Sequence, residues 1–162
     1  DLRAEREINE LNYSDKALNK FNYVIASFDP WNQSIEFQNT HHQGSNVEIA
    51  YRFFGLECKS SIKKTMETII SEDNAITIHC HAGKDRTGIL ISMLHLLSGA
   101  DKSVIYNDYL ATEMDTKKEY LDIVLNIIES KGGIEHYLMD CGLSFDQVQQ
   151  LKMKIVNILV KV

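Results

Sequence analysis

Residues 76–91 read ITIHCHAGKDRTGILI, and this stretch organises the rest of the chain. A short apolar run, which has the character of a β-strand, leads into Cys80. Five residues follow before Arg86, and Thr87 and Gly88 then open an apolar pattern typical of a helix. The predicted order is therefore strand, tight loop and helix N-terminus. The amides of such a loop and the dipole of the following helix favour a bound anion.

The side chains at the two ends of this loop suit an anion site. Arg86 carries a planar guanidinium that can hold two phosphate oxygens at once. Cys80 would lie in the same positive field, which favours its thiolate form. Gly83 and Gly88 let the backbone approach the anion closely and adopt unusual dihedral angles. A thiolate beside a bound phosphate is a nucleophile for phosphoryl transfer, so the stretch predicts that reaction.

The string HCHAGKDRTG, residues 79–88, resembles the phosphate loop of the cysteine-dependent phosphatases, in which His-Cys, five residues, Arg and then Ser or Thr follow one another. Its inner part, AGKDRTG, resembles the bacterial tyrosine phosphatase family, whose members include dual protein and phosphoinositide phosphatases. Four further pieces resemble that family: DLR at residues 1–3, NDYL at 107–110, GGI and YL within 132–138, and GLS at 142–144. The resemblance leaves out residues 32–46.

The resemblance implies a role for each residue of the loop. Cys80 would be the nucleophile that forms a phosphocysteine. The residues that would bind the phosphate are His81, Ala82, Gly83, Lys84, Asp85 and Arg86. His79 would brace the loop through hydrogen bonds, and the hydroxyl of Thr87 would donate to the departing thiolate. Lys84 adds a second cation at the mouth, which suits substrates with more than one phosphate, as phosphoinositides have.

The departing oxygen needs a proton from a general acid, and the sequence leaves two candidates open. Asp85 lies within the loop itself. Asp29 lies on an Asp-Pro-Trp turn, a loop position like the one that other cysteine phosphatases use for a mobile acid. We favour Asp85 and keep Asp29 as the alternative.

The length of 162 residues predicts a single domain over residues 1–162. Its predicted class is α/β, with the cysteine-dependent phosphatase fold: a central sheet of about four strands flanked by helices, and a helical C-terminal half. Strands are predicted at residues 22–28 and 75–78. The resemblance implies that residues 1–3 end an earlier strand whose beginning precedes this sequence; a charged N-terminal helix is the alternative. Residues 32–46 have the polar character of a functional loop, with a short strand at 35–37.

Hydrophobic periodicity predicts the helices. They are expected at residues 47–56, 60–71, 87–97, 101–112, 117–130, 134–141 and from Ser144 onward. Ser45 and Gly99 are predicted caps, and residues 144–147 form a capping box. The last helix carries an apolar stripe of Val148, Leu151, Ile155, Ile158 and Leu159.

Composition limits the classes of partner that the protein is expected to bind. The net charge of −6 argues against a nucleic-acid surface, so an anionic substrate has to be attracted by a local field. No apolar run is long enough to span a membrane, and no signal peptide is visible. We expect a bacterial monomer, cytoplasmic or secreted, whose partner is a phosphorylated protein or a phosphoinositide.

The three cysteines form neither a disulfide framework nor a metal site, because they are odd in number and irregularly spaced. Reduced thiols in a reducing environment are therefore expected, and the chemistry implied by the resemblance needs no metal or other cofactor. Cys58 and Cys141 are expected to be small buried hydrophobes, and a resolving role for Cys58 is the alternative.

Other functions stay open beside hydrolysis of phosphotyrosine, phosphoserine, phosphothreonine or phosphoinositides. Inositol polyphosphates are a further substrate class, and a module that only binds phosphorylated ligands is a different kind of function. Cys80 and Arg86 are both present, so the sequence gives no support to a non-catalytic module. A rhodanese or an arsenate reductase would also carry a Cys and an Arg at this spacing. His79 before the loop and residues 86–88 after it count against those two enzymes.

Overall fold

The computed structural model describes residues 1–112 and 114–160, with the side chains of these ranges up to residue 156. Ten helices follow one another in this described part. They are α1 Glu5–Glu10, α2 Asp15–Leu18, α3 Ile35–His41, α4 Asn46–Leu56, α5 Lys59–Ser71, α6 Asp85–Ser98, α7 Lys102–Leu110, α8 Lys118–Ser130, α9 Ile134–Asp140 and α10 Phe145–Val160. None of these helices has the length and apolar character needed to cross a membrane.

The predicted central sheet is wrong, because the described residues contain no β-strand. The segments 22–28 and 75–78, both predicted as strands, are irregular. Backbone hydrogen bonds join Asp1 and Leu2 to residues 24–28 on one side and to His79 on the other. Residues 75–78 make no backbone hydrogen bond with a described residue. A strand needs a partner along its length, and these segments share isolated bonds only.

The predicted loop at residues 32–46 is also wrong, because it contains α3 where a short strand was expected. Ser34 caps this helix by accepting a hydrogen bond from the amide of Phe37 at 3.0 Å. The Ser34 hydroxyl itself donates to the carboxylate of Glu57 at 2.6 Å. The buried ring of Phe37 packs edge-on against Phe53, with ring centroids 5.5 Å apart. Contacts with α4 and the residue after it thus stabilise a helix whose own sequence is largely polar.

The helices predicted from periodicity are confirmed to within two residues at each described boundary. Ser45 and Glu48 form a capping box at the start of α4. Gly99 ends α6 with a φ of +83°, a conformation that costs glycine little. At α10 the amides and side chains of Ser144 and Gln147 bond each other reciprocally. Of the stripe on α10, Val148 and Leu151 are buried and Ile155 is half-buried, while the side chains of Ile158 and Leu159 lie outside the described part.

Helix α6 lies at the centre of the core. Its fully buried side chains are Ile89, Leu90, Met93 and Leu97. Each such side chain contributes about 1.5–3 kcal/mol relative to an exposed one. α6 packs against α7, α9 and α10, while α4 packs against α8. This packing fixes the N-terminus of α6 between the first residues of the chain and the buried faces of α4 and α7.

Candidate active site

The loop at residues 80–84 connects an irregular segment to the N-terminus of α6. α6 begins at Asp85 and is 14 residues long, so its dipole and its first amides point toward the loop. Gly83 has a φ of +76°, in the left-handed region that favours glycine. Residues 81–83 are exposed, whereas only 6% of Cys80 is accessible. The thiol therefore lies at the base of an exposed loop that ends in a helix N-terminus.

Arg86, in the first turn of α6, forms a buried bidentate ion pair with Glu7 of α1. Nη1 donates to Oε2 at 2.6 Å and Nη2 donates to Oε1 at 2.7 Å. Both side chains are about nine-tenths buried. Nη1 also lies 3.5 Å from the carbonyl oxygen of Leu2 and 3.4 Å from that of Phe28. The guanidinium is thus fixed on one side by four oxygens, and one Nη2–H and the Nε–H bond no oxygen in the described residues.

Glu7 is itself held in place. The amide of Ala4 donates to Oε2 at 2.7 Å, and Nδ1 of His81 lies 3.9 Å from Oε1. The hydrogen bonds from Arg86 are the main reason that the pKa of Glu7 lies below its ordinary value, although burial opposes this shift. Glu7 is therefore a carboxylate at neutral pH, and it neutralises part of the charge of Arg86.

The charge of Arg86 is also coupled to Cys80. Burial disfavours the charged guanidinium, but the hydrogen bond to Glu7 and the attraction of Cys80 outweigh burial and raise the pKa of Arg86. The guanidinium of Arg86 therefore lies close enough to the buried thiol for the two groups to interact directly. Geometry thus brings together the two residues that the sequence predicts as nucleophile and phosphate ligand.

The other two cysteines lack such surroundings. Burial raises the pKa of the Cys141 thiol to about 11. Burial, followed by the charge of Glu57, raises the pKa of the Cys58 thiol further. Both are free and buried, as expected. The alternative role of Cys58 as a resolving cysteine receives no support from these surroundings, since a reactive thiol needs thiolate character.

Thr87 and His79 flank the loop on its two sides. The hydroxyl oxygen of Thr87 is buried and bonds no other described atom. His79 places Nδ1 3.2 Å from the carbonyl oxygen of Cys80 and Nε2 3.1 Å from the hydroxyl of Tyr13. Its pKa is lowered, mainly by burial, so the neutral ring predominates at neutral pH. His79 therefore links the start of the loop to the segment after α1.

Lys84 and Asp85 lie at the mouth of the loop. Nζ of Lys84 donates to the carbonyl oxygen of Asp115 at 2.9 Å and lies 3.7 Å from Oδ2 of Asp85. The other oxygen of Asp85, Oδ1, accepts a hydrogen bond from the hydroxyl of Tyr51 at 2.6 Å. Both mouth side chains are partly exposed, Lys84 by 23% and Asp85 by 29%. A cation and a carboxyl group are therefore both within reach of a ligand in the loop.

Asp29, the alternative acid, lies in different surroundings. Its Oδ1 accepts a hydrogen bond from the amide of Trp31 at 3.0 Å, as in a turn. The side chain lines a cavity shared with Glu57 and Cys58, and no residue of 79–88 lines that cavity. Asp85 thus lies at the mouth of the loop, whereas Asp29 lines a cavity that residues 79–88 do not line.

Sequence reasoning missed three residues that contact the site, namely Glu7, Tyr51 and Tyr109. The acidic residues that follow the DLR segment were the one signal for Glu7. For the two tyrosines, a helical spacing signalled burial but not a partner for each hydroxyl. No group of three or more His, Cys, Asp or Glu side chains that could hold a metal ion occurs in the described part of the chain.

Comparisons with known proteins bear on the same region. A family model described as "Tyrosine phosphatase family" matches residues 1–118, a range that includes Glu7 and the whole loop. A tyrosine-protein phosphatase from Nostoc commune is 30% identical over 117 residues. That match covers 52% of this chain and 40% of the relative, so the chain spans less than half of the relative's length.

Proposed function

The chain belongs to the tyrosine phosphatase family, and we propose that it hydrolyses phosphate monoesters through a phosphocysteine formed at Cys80. The observation that carries the proposal is the pairing of a buried thiol with Arg86, which Glu7 fixes at the N-terminus of α6. Phosphoryl transfer needs mainly positioning and charge stabilisation, and this arrangement supplies both.

In the first step the Cys80 thiolate attacks phosphorus, a sulfur–phosphorus bond forms and the bond to the departing oxygen breaks. The equatorial oxygens of the phosphoryl group carry negative charge in the transition state. They would be met by the loop amides and by the two N–H groups of Arg86 that bond neither Glu7 nor the carbonyl oxygens of Leu2 and Phe28. His81, Ala82, Gly83, Lys84 and Asp85 complete this phosphate-binding loop.

In the second step a water molecule attacks phosphorus, releases inorganic phosphate and regenerates the Cys80 thiolate. Sulfur is then the leaving group, so a hydrogen-bond donor to sulfur accelerates the step. Thr87 suits this role, because its buried hydroxyl has no other partner among the described atoms. His79 braces the loop through the carbonyl oxygen of Cys80.

Asp85 is the proposed general acid. It gives a proton to the departing oxygen in the first step and takes one from water in the second. Its place in the first turn of α6, one residue from Arg86, supports this assignment. Asp29 stays the alternative, but its carboxylate is engaged with the amide of Trp31 in another cavity.

Phosphotyrosine is the proposed substrate class, since that is what the family name describes. Lys84 supports an extension to phosphoinositides, because it places a second cation near the mouth of the loop. Phosphoserine, phosphothreonine and inositol polyphosphates are alternatives with the same reactive group. A module that binds phosphorylated ligands without turnover is the non-catalytic alternative.

The test is turnover of p-nitrophenyl phosphate in EDTA with a thiol reductant. Wild-type protein should hydrolyse it, and Cys80→Ser should lose several orders of magnitude in kcat while still binding phosphate. Cys141→Ser is the matched control, since Cys141 is equally buried and free but lies outside the loop. A folded wild type that binds phosphate without turnover would identify the non-catalytic module instead.

A further inference from the structure

A buried pair of tyrosine hydroxyls lies behind Asp85. Tyr51 of α4 and Tyr109 of α7 are almost fully buried, with 1% and 4% of each side chain accessible. Their hydroxyl oxygens are 2.6 Å apart, and the Tyr51 hydroxyl also lies 2.6 Å from Oδ1 of Asp85. The chain of hydrogen bonds therefore runs from the core to the carboxyl group at the mouth of the loop.

The direction of these bonds follows from counting protons. A tyrosine hydroxyl has one proton to donate, and an ionised carboxylate has none. Tyr51 therefore donates to Asp85 when Asp85 is ionised, and Tyr109 donates to the oxygen of Tyr51. Burial raises the pKa of Tyr51 far above its ordinary value and raises the pKa of Tyr109 to about 12. Both hydroxyls thus stay protonated, as donors, at neutral pH.

Close packing fixes the two rings. A Cβ atom at Gly88 would lie 2.9 Å from the ring of Tyr109, so only glycine lets that ring approach the first turn of α6. The ring of Tyr51 packs against those of Phe54 and Tyr120, with centroids 6.1 and 5.7 Å apart. Four helices, α4, α6, α7 and α8, therefore determine where the Tyr51 hydroxyl points, before any ligand is bound.

The two oxygens of Asp85 have different surroundings as a result. Oδ1 is anchored inward by Tyr51, whereas Oδ2 lies 3.7 Å from Nζ of Lys84 at the partly exposed mouth. A carboxyl group held by one oxygen presents the other in a fixed direction. A hydrogen bond to a carboxylate is also stronger than one to a neutral carboxylic acid. The bond from Tyr51 must therefore strengthen as Asp85 loses its proton.

We propose that Tyr51, supported by Tyr109, is a positioning residue for Asp85. It presents Oδ2 to the departing oxygen of the substrate and stabilises the negative charge that develops on Asp85 as the proton leaves. The inference rests on the proposed function: sulfur bonds to phosphorus, the phosphorus–oxygen bond breaks, and the proton of Asp85 moves to that oxygen. Stabilisation that appears only in the transition state accelerates the chemical step.

The test compares Tyr51→Phe and Tyr109→Phe on two substrates. Phenyl phosphate has a basic leaving group that needs the proton, whereas p-nitrophenyl phosphate has one that leaves almost unaided. Tyr51→Phe should slow kcat for phenyl phosphate by roughly 10- to 100-fold, the usual weight of a hydrogen bond to a charged group, and p-nitrophenyl phosphate much less. Tyr109→Phe should also slow phenyl phosphate more than p-nitrophenyl phosphate, but with a smaller loss of kcat.

The matched control is Tyr137→Phe. Tyr137 is also fully buried, but its hydroxyl donates to the carbonyl oxygen of Gly55 at 2.8 Å. It should therefore affect both substrates equally. In an Asp85→Asn background, Tyr51→Phe should add no further selectivity, because both changes then act on the same proton transfer.

Four outcomes would overturn the inference. Equal losses on both substrates for Tyr51→Phe would show that the hydroxyl only packs, and selectivity that persists in the Asp85→Asn background would show that it acts elsewhere. If Tyr51→Phe does not fold, an equal loss for Tyr109→Phe refutes the inference instead. A folded wild type that hydrolyses neither substrate overturns the proposed function, and the inference with it, which separates the two failures.

Discussion

Glu7→Gln removes the negative charge that holds Arg86 and changes the shape of the side chain very little. Arg86 would remain buried, with 10% of its side chain accessible, and one of the two Glu7 oxygens would become an amide nitrogen that cannot accept its hydrogen bond. Breaking a buried ion pair by removing one partner costs about 3–5 kcal/mol. For a chain of this size, such a loss lowers Tm by about 6–20 °C.

The same substitution should impair catalysis. Without Glu7 the guanidinium of Arg86 can rotate away from the loop, and a displacement of about 1 Å in a positioning group costs on the order of 10² in rate. We therefore expect kcat/KM for p-nitrophenyl phosphate to fall by about 10² or more, with weaker binding of inorganic phosphate. Glu5→Gln is the matched control, because Glu5 lies exposed in the first turn of the same helix.

The pH dependence gives an independent readout. The hydrogen bonds from Arg86 lower the pKa of Glu7 from its ordinary value of 4.5. The stability that Glu7 contributes is thus fully present above pH 4.5 and is lost as the pH falls through the lowered pKa. The difference in Tm between wild type and Glu7→Gln should accordingly shrink as the pH is lowered below about 4.5.

The test measures thermal unfolding and steady-state turnover side by side for wild type, Glu7→Gln and Glu5→Gln. A Glu7→Gln protein with wild-type turnover and the Tm of the Glu5→Gln control would show that Glu7 does not position Arg86. It would mean that Arg86 keeps its position through the carbonyl oxygens of Leu2 and Phe28 alone.

Three further predictions concern the loop and the alternative acid. Lys84→Ala should reduce turnover of phosphoinositides more than that of a phosphotyrosine peptide; equal losses would mean that its bond to Asp115 only shapes the loop. Iodoacetate near pH 6 should alkylate Cys80, with inorganic phosphate protecting it, and spare Cys141, whose pKa is about 11; peptide mapping that finds both labelled equally would contradict this. Replacement of Asp85 by Asn should slow alkyl or tyrosyl phosphates by roughly 10²–10⁴ and p-nitrophenyl phosphate much less, while the same change at Asp29 gives a small uniform loss; the reverse pattern would make Asp29 the acid.

Helices α4 to α10 could be predicted from the sequence because their determinants are local. The Ser45–Glu48 and Ser144–Gln147 caps each join residues only three positions apart, and the apolar spacing of α4 to α10 repeats within each helix. A short window of sequence therefore contains the information that decides these elements.

The strands predicted at residues 22–28 and 75–78 are absent from the structure, because a strand depends on more than local sequence. High β-propensity at residues 22–28 and 75–78 indicates that these segments suit a sheet, but a ladder also needs partners at the right distance. Within the described part of the chain, residues 22–28 make backbone hydrogen bonds only with Asp1 and Leu2. Residues 75–78 make no backbone hydrogen bond with a described residue. The prediction of a loop where α3 lies was wrong for a related reason. Ser34, which caps α3, is held by Glu57, 23 residues further along the chain.

The residues of the candidate site also differ in whether local sequence could predict them. Cys80 and Arg86 are six positions apart, so the spacing of one short string places both at the start of α6. Glu7 is 79 residues from Arg86, and Tyr51 is 34 residues from Asp85. Such contacts join residues that are far apart in the sequence, and no local pattern encodes them. The local string thus predicts a candidate nucleophile and a candidate phosphate ligand, whereas the residues that contact them could be found only in the structure.

If the phosphoryl group passes through the sulfur of Cys80, the phosphocysteine can be trapped during turnover. The enzyme would be mixed with ³²P-labelled phenyl phosphate, denatured within milliseconds near neutral pH, and digested for peptide mapping. A phosphocysteine intermediate requires labelled phosphate on the peptide that contains Cys80, and none on Cys80→Ser treated identically. Turnover without any labelled protein, or a Cys80→Ser protein that retains about one tenth of wild-type activity, would contradict it.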